Sequence, residues 1–167
     1  MNLQRTAIAV ALVAGSLSAH AVTYNIGTLP LAPLVYTLTP SVPVGAFTDI
    51  YNFLFPATGL TASGTAQSVN ITGLLNISNV QVSLFRTTPN TFVGAGGVGS
   101  DSQLFNTPLI PGVAYYYQVT GTATGAAGGV YNFLATAAPI PEPETYTLMA
   151  AGLGVIGFLA MRRRRQG

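Results

Sequence analysis

Between residues 22 and 140 the apolar positions recur every second residue, in short runs broken by Gly, Pro, Asn and Ser. A period of two is the mark of a strand with one buried face. The run Phe47-Thr48-Asp49-Ile50-Tyr51-Asn52-Phe53-Leu54-Phe55 places Phe47, Tyr51, Phe53 and Phe55 on one face, and Pro56 ends it. Gln81 and Ser83 alternate with Val80, Val82 and Leu84 as far as about Arg86. Val113, Tyr115, Tyr117 and Val119 share a face opposite Ala114, Tyr116, Gln118 and Thr120. Val130–Leu134 is another strand, and its Tyr131-Asn132-Phe133-Leu134 echoes Tyr51-Asn52-Phe53-Leu54. One tetrapeptide is not a repeat; it reads as two strands meeting the same packing demand. Further strands are predicted at Thr23–Ile26, Leu34–Leu38, Gly64–Ile71, Leu74–Ile77 and Ser102–Phe105. Gly94–Gly99 and Gly121–Gly129 read as loops, and Thr136–Ile140 as a linker. Strands at this spacing, with no helical period between them, predict an all-β domain over 22–135. The expected form is an antiparallel β-sandwich, jelly-roll-like.

The two ends break the pattern. Met1–Arg5 carries a positive charge, Thr6–Leu17 is apolar, and Ala19-His20-Ala21 has the small-x-small spacing that signal peptidase reads. Residues 1–21 are therefore expected to be a signal peptide cut after Ala21, so that the exported chain begins at Val22. At the other end Thr145–Met161 is uncharged; at ~1.5 Å per residue a helix there reaches roughly 25 Å, near the lower limit for a bilayer core. Gly152, Val155, Ile156 and Leu159 share one face of that helix. Arg162, Arg163, Arg164 and Arg165 follow, and such a cluster anchors its side of the membrane in the cytoplasm. The expectation is one transmembrane helix at about 145–161, with the basic tail 162–165 as its stop-transfer signal.

Composition narrows the chemistry. The chain has no cysteine, which excludes thiol chemistry and disulfides. From 22 to 140 the formally charged side chains are Asp49, Arg86 and Asp101 alone, with no lysine, glutamate or histidine. The sequence pI near 9.2 comes from the terminal arginines, and the near-neutral domain offers no basic surface for nucleic acid. His20 is the chain's one histidine and leaves with the leader. A Ser-His-Asp triad and a zinc site are then both out of reach, and general acid–base groups are scarce. No enzymatic activity, cofactor or metal centre is expected.

Two side chains of the domain stand out. By period two, Asp49 points to the same face as four aromatic rings, and a buried carboxylate without a partner is costly. It either hydrogen-bonds backbone N–H groups, pairs with Arg86, binds a cation such as Ca²⁺, or sits in a bulge. Tyr116 lies on the outer side of its strand, and an exposed ring on a β-sandwich is a candidate for stacking against a sugar.

The C-terminal segment resembles a PEP-CTERM sorting domain. The matching residues are Pro141-Glu142-Pro143, Glu144-Thr145-Tyr146, Leu148, Ala151-Gly152-Leu153-Gly154 and the Arg162–Arg165 cluster, which together span 141–167. The resemblance implies export through the Sec translocon and transient anchoring in the inner membrane. It also implies cutting near Pro141-Glu142-Pro143 by an exosortase-type membrane protease. The setting it implies is a Gram-negative bacterium that makes extracellular polysaccharide. Phe47-Thr48-Asp49-Ile50-Tyr51 also resembles a Phe-x-Asp-x-Phe subgroup of such proteins, with Tyr51 where the last Phe is usual. The expected role is a non-enzymatic protein of the cell surface or extracellular matrix, associated with exopolysaccharide and biofilm. The alternative is a carbohydrate-binding module retained on exopolysaccharide through Tyr116.

Overall fold

Two five-stranded sheets face one another across an aromatic core. The computed structural model describes residues 19–139 and 149–156. Most of the leader, Pro141-Glu142-Pro143 and Arg162–Arg165 lie outside the described residues. The first sheet has the order β1 (Thr23–Thr28), β4 (Gly45–Leu54), β9 (Ala114–Ala123), β6 (Ile77–Arg86), β7 (Thr91–Ala95). The second has the order β2 (Tyr36–Leu38), β10 (Gly129–Pro139), β5 (Gly59–Val69), β8 (Asp101–Pro108), with β3 (Ser41–Val42) also on β10. Residues 149–156 are helical and exposed. Among the described residues no helix is long and apolar enough to cross a membrane.

The strands read from alternation are present. In β4 the inward side chains are Phe47, Asp49, Tyr51 and Phe53, and in β9 they are Tyr115, Tyr117 and Val119. One pair departs from the antiparallel expectation: β1 runs parallel to β4, with Thr23 opposite Ile50 and Tyr24 opposite Tyr51. A parallel pair needs a crossover connection. Here the chain crosses to the second sheet for β2 and β3 before returning as β4. Each sheet carries five strands rather than the four of a plain jelly roll.

Other differences have local causes. The expected linker Thr136–Ile140 is strand as far as Pro139, which pairs with Gly59; Ile140 lies outside the described residues. Ala135 and Ala137 are buried there, and Ala137 exchanges backbone hydrogen bonds with Pro30 and Ala32 at 2.8 Å each. The glycine-rich stretch 121–129 contains the end of β9 and the start of β10, with a turn only between them. Gly121 is glycine because a Cβ there would come within 2.8 Å of the Phe47 ring. Gly94 and Ala95 belong to β7, and residues 96–99 still bond to β6 through Gly96 and Gly99. The predicted strand Leu74–Ile77 is instead a turn leading into β6. Ile71 and Leu75 close it, and Asn70 and Asn76 brace it with a side-chain hydrogen bond of 3.0 Å. Leu34 likewise closes a turn onto Leu31 (2.9 Å), so β2 starts only at Tyr36.

Large rings from one sheet fill space left by small residues in the other. The inward positions of β5 are Ala62, Gly64 and Ala66. The Tyr117 ring lies over Gly64, where a Cβ would meet its Cε1 at 2.7 Å. Gly64→Ala is therefore expected to lower the stability by about 1–3 kcal/mol, the usual effect of overfilling a packed core. Gly97, with nothing within 4 Å, should accept alanine with a change within about 0.5 kcal/mol. Urea unfolding of both variants checks the contrast.

Burial raises the pKa of Tyr51, Tyr117 and Tyr131 well above the ordinary phenol value, with Tyr51 and Asp49 adding to the rise at Tyr131. An unfolded tyrosine loses its proton near pH 10 while these three keep theirs. The stabilisation is thus complete below about pH 10 and is lost as pH climbs, by roughly 1.4 kcal/mol per pH unit for each ring. In an alkaline titration followed by phenolate absorbance, these three are expected to ionise together with unfolding. Three ordinary titrations in a chain still folded would contradict the assignment.

Candidate functional site

Three regions hold the residues that the sequence marks out: the interior around Asp49, the outer face of the first sheet, and the C-terminal segment.

Asp49 is fully buried, and none of its contacts is with Arg86. In register, Asp49 stands opposite Val119, and Val119 opposite Val82. Arg86 is thus two strands across and four residues further along β6 than Val82. The carboxylate is held instead by groups far off in sequence. Tyr131 of β10 reaches across the sandwich and donates its hydroxyl proton to Oδ2 at 2.6 Å, and the backbone N–H of Val22 donates to Oδ1 at 3.1 Å. A tyrosine hydroxyl has one proton to give. With that of Tyr131 committed to Asp49, the 2.7 Å contact between the two phenols has Tyr51 as donor to Tyr131. The chain Tyr51, Tyr131, Asp49 is closed in by rings: Phe47 stacks on Tyr131 at 5.4 Å, and Tyr51 on Phe133 at 3.9 Å. Of the readings open for Asp49, hydrogen bonding to backbone is the one observed, with the Tyr131 phenol added. Nδ1 of His20 lies 3.9 Å from Oδ1, and that nitrogen makes no hydrogen bond among the described residues.

Phe47, Asp49 and Tyr51 are thereby brought together on one face of β4, all turned toward Tyr131. The tetrapeptide echo has a structural counterpart. Its two copies face each other across the core, Tyr and Phe inward. The outward Asn of each copy tethers an edge strand: Asn52 donates to Asn25 of β1 (3.4 Å), and Asn132 accepts from Thr37 (3.4 Å) and Thr39 (3.3 Å) around β2.

Tyr116 is on the outer face, as its period requires, but it is half-buried. Phe85 stacks on it at 5.1 Å with a 10° interplanar angle, and its hydroxyl donates to Asn90 at 2.8 Å. Phe92 packs edge-on against Phe85 at 5.5 Å and is the exposed ring of the group, at 58%. The register makes these one row across all five strands: Asn25, Asn52, Tyr116, Phe85, Phe92. Beside it a shallow groove of about 370 Å³ runs past Asn25, Asn52, Leu54 and Ala114. Sequence reasoning found Tyr116 alone. Phe85 falls on the outer side of the strand read to about Arg86 but was not singled out. Phe92 was accessible only through the strand pairing, since β7 is too short to announce itself by alternation.

The sorting residues Pro141, Glu142 and Pro143 fall just past β10, which ends at Pro139. Those three and the four arginines lie outside the described residues.

No curated protein matches the chain. Among solved structures, the pre-peptidase C-terminal domain of a collagenase from Bacillus anthracis is similar, at 18% identity. The match covers 68% of this chain and 94% of that one, with a TM-score of 0.43. Residues 139–165 match the PEP-CTERM protein-sorting motif, and the chain therefore carries that motif from Pro139, the residue at which β10 ends.

Proposed function

We infer that this is an exported, non-enzymatic protein delivered to the cell surface or extracellular matrix of a Gram-negative bacterium. An exosortase-type membrane protease would act on it after Sec export. The observation that carries the reading is the sorting motif at 139–165, set directly against the end of β10. The sequence supports a division of labour along that motif. Pro141 and Pro143 fix φ and cannot donate a backbone hydrogen bond, residue types that disfavour helix and suit a site a protease must reach. The apolar run stops transfer, and Arg162–Arg165 set its orientation. Cutting near Pro141 would release a domain that ends with its last strand complete. Mass spectrometry of the protein recovered outside the cell is expected to find a C-terminus upstream of Arg162, and deletion of the exosortase should leave the arginines attached. An exported protein that keeps Arg162–Arg165 in both strains would refute this reading.

A second reading, retention on exopolysaccharide, draws on the outer row of the first sheet. Rings that stack on sugars and amides that hydrogen-bond hydroxyls lie side by side there, next to an open groove. Phe92, the exposed ring, replaces Tyr116 as the residue best placed to meet a sugar. Its proposed ligand is a neutral polysaccharide, since the face has few charges. Phe92→Ala is expected to reduce retention on the producing organism's own polysaccharide by roughly tenfold, the worth of one good aromatic contact. Tyr116→Ala should reduce it less and loosen the fold, because Tyr116 also supports Phe85 and Asn90. Unchanged retention in a folded Phe92→Ala protein would remove the row from consideration.

A further inference from the structure

The site around Asp49 has an unusual neighbour: the backbone nitrogen that donates to its Oδ1 belongs to Val22, the residue expected to become the first of the exported chain. We propose that removal of the leader after Ala21 converts that nitrogen into a charged amino terminus that docks on Asp49 and completes the fold. The inference rests on the reading of the protein as exported with its leader removed.

The bond chemistry is simple hydrolysis. Water adds across the Ala21–Val22 peptide bond. Its hydroxyl goes to the Ala21 carbonyl carbon, which departs with the leader as a carboxylate, and a proton goes to the Val22 nitrogen. A free α-amino group has an ordinary pKa near 7.7–8.0 and takes a further proton at neutral pH. An uncharged N–H that gave Asp49 one hydrogen bond at 3.1 Å becomes an ammonium with three donors and a positive charge at the same place.

Three observations make the place ready for it. First, Asp49 is fully buried, and Arg86, the one arginine among the described residues, does not pair with it. A buried carboxylate of this kind gains most from a paired cation, because an opposite charge compensates the buried charge that uncharged donors leave uncompensated. Second, the charged candidate in the uncut chain, His20 at 3.9 Å, lies on the leader side of the cut and would be lost with it. Third, Val22 is held from the other side. Its carbonyl accepts from Ile50 N–H at 2.8 Å, and Thr23 and Tyr24 continue in register along β4. Cleavage gives up the bonds of His20 with Ala46 (3.1 Å) and Thr48 (2.8 Å) but none of those that seat Val22. The middle residue of the Phe47-Thr48-Asp49-Ile50-Tyr51 stretch thus becomes the receptor for the terminus, with Tyr131 fixing the second carboxylate oxygen.

The sequence supplies a clean test, because it contains no lysine. The α-amino group is then the sole primary amine of the exported protein, and amine reagents report on it alone. The protein is recovered from the cells that export it, and its first residue is read by mass spectrometry. Its amine is then labelled in the folded state and in urea. For thermal melting, it is acetylated or reductively dimethylated while unfolded and refolded. Acetylation removes the charge; dimethylation keeps it. The proposal expects Val22 as first residue and labelling at least about tenfold slower in the folded state than in urea. It also expects an acetylated protein that melts several degrees below both the unmodified and the dimethylated forms. In Asp49→Asn the gap between acetylated and unmodified forms should close. A chain that starts at Val22 but labels as fast folded as unfolded, and melts alike with and without the acetyl group, overturns the docking and leaves the export reading standing. A recovered chain that still carries His20 and Ala21 overturns the docking together with the leader cut.

Discussion

The hydrogen bond from Tyr131 to Asp49 fixes how the two sheets meet. It links the middle of β4 to the beginning of β10 across the interior, at 2.6 Å. A carboxylate in that position tolerates little freedom: removing one of its partners from a buried site costs several kcal/mol, far more than the net worth of an ordinary hydrogen bond. It therefore selects a register. A slip of one residue in β4 would turn Asp49 to solvent and bring Thr48 or Ile50 against Tyr131. Everything the sheet displays on its outer face follows from the same choice. With Asp49, Tyr51 and Phe53 inward, Asn52 is outward and in line with Tyr116, Phe85 and Phe92.

The aromatic core works under the same constraint. Tyr51, Tyr117 and Tyr131 are large, amphipathic and fully buried. Two of them spend their hydroxyls on each other and on Asp49, while that of Tyr117 makes no hydrogen bond among the described residues. The β5 strand accommodates these rings by having almost no side chains of its own on that face. The pairing of bulky rings in the first sheet with Ala62, Gly64 and Ala66 in the second is what allows a domain without disulfides to close over so much aromatic volume.

That division explains which parts of the fold could be read from the sequence. The strands with large alternating side chains, β4, β6, β9 and β10, were visible because hydrophobicity alternates with a period of two. The beginning of β5 and the end of β10 were not: Gly59–Ser63, apart from an outward Leu60, and Thr136–Pro139 are small residues, which look like loop and linker until the rings opposite them are seen. The same holds for Gly121, whose missing Cβ makes room for Phe47 rather than for a turn. Asp49 was legible as an anomaly, because a carboxylate among four rings contradicts the pattern around it. Its partners were not. Tyr131 is 82 residues away and Val22 is 27, and no local rule connects them. For Tyr116 the face was right and the exposure wrong, because the ring that covers it comes from the neighbouring strand.

The ends of the domain show how little slack separates folding from sorting. Val22 is already bonded to β4 at the point where the leader would be cut, and Pro139 is still paired with Gly59 where the sorting motif begins. Neither junction has a spacer. A strand that ends at a cutting site is protected by its pairing up to its last bonded residue, since a protease needs the backbone extended and free of its ladder. β10 lies between β2 and β5, so both of its edges are engaged, and fraying it would cost contacts on two sides. At the C-terminal end the sandwich would thus confine cleavage to residues beyond Pro139. At the N-terminal end the ladder runs on through His20, which bonds Ala46 and Thr48, so a cut after Ala21 would have to come before that pairing forms. On the proposed reading, the folded domain measures out one of its termini: the pairing of β10 with β5 marks the last residue to be kept, whereas the first is set by the leader cut before the chain settles against β4.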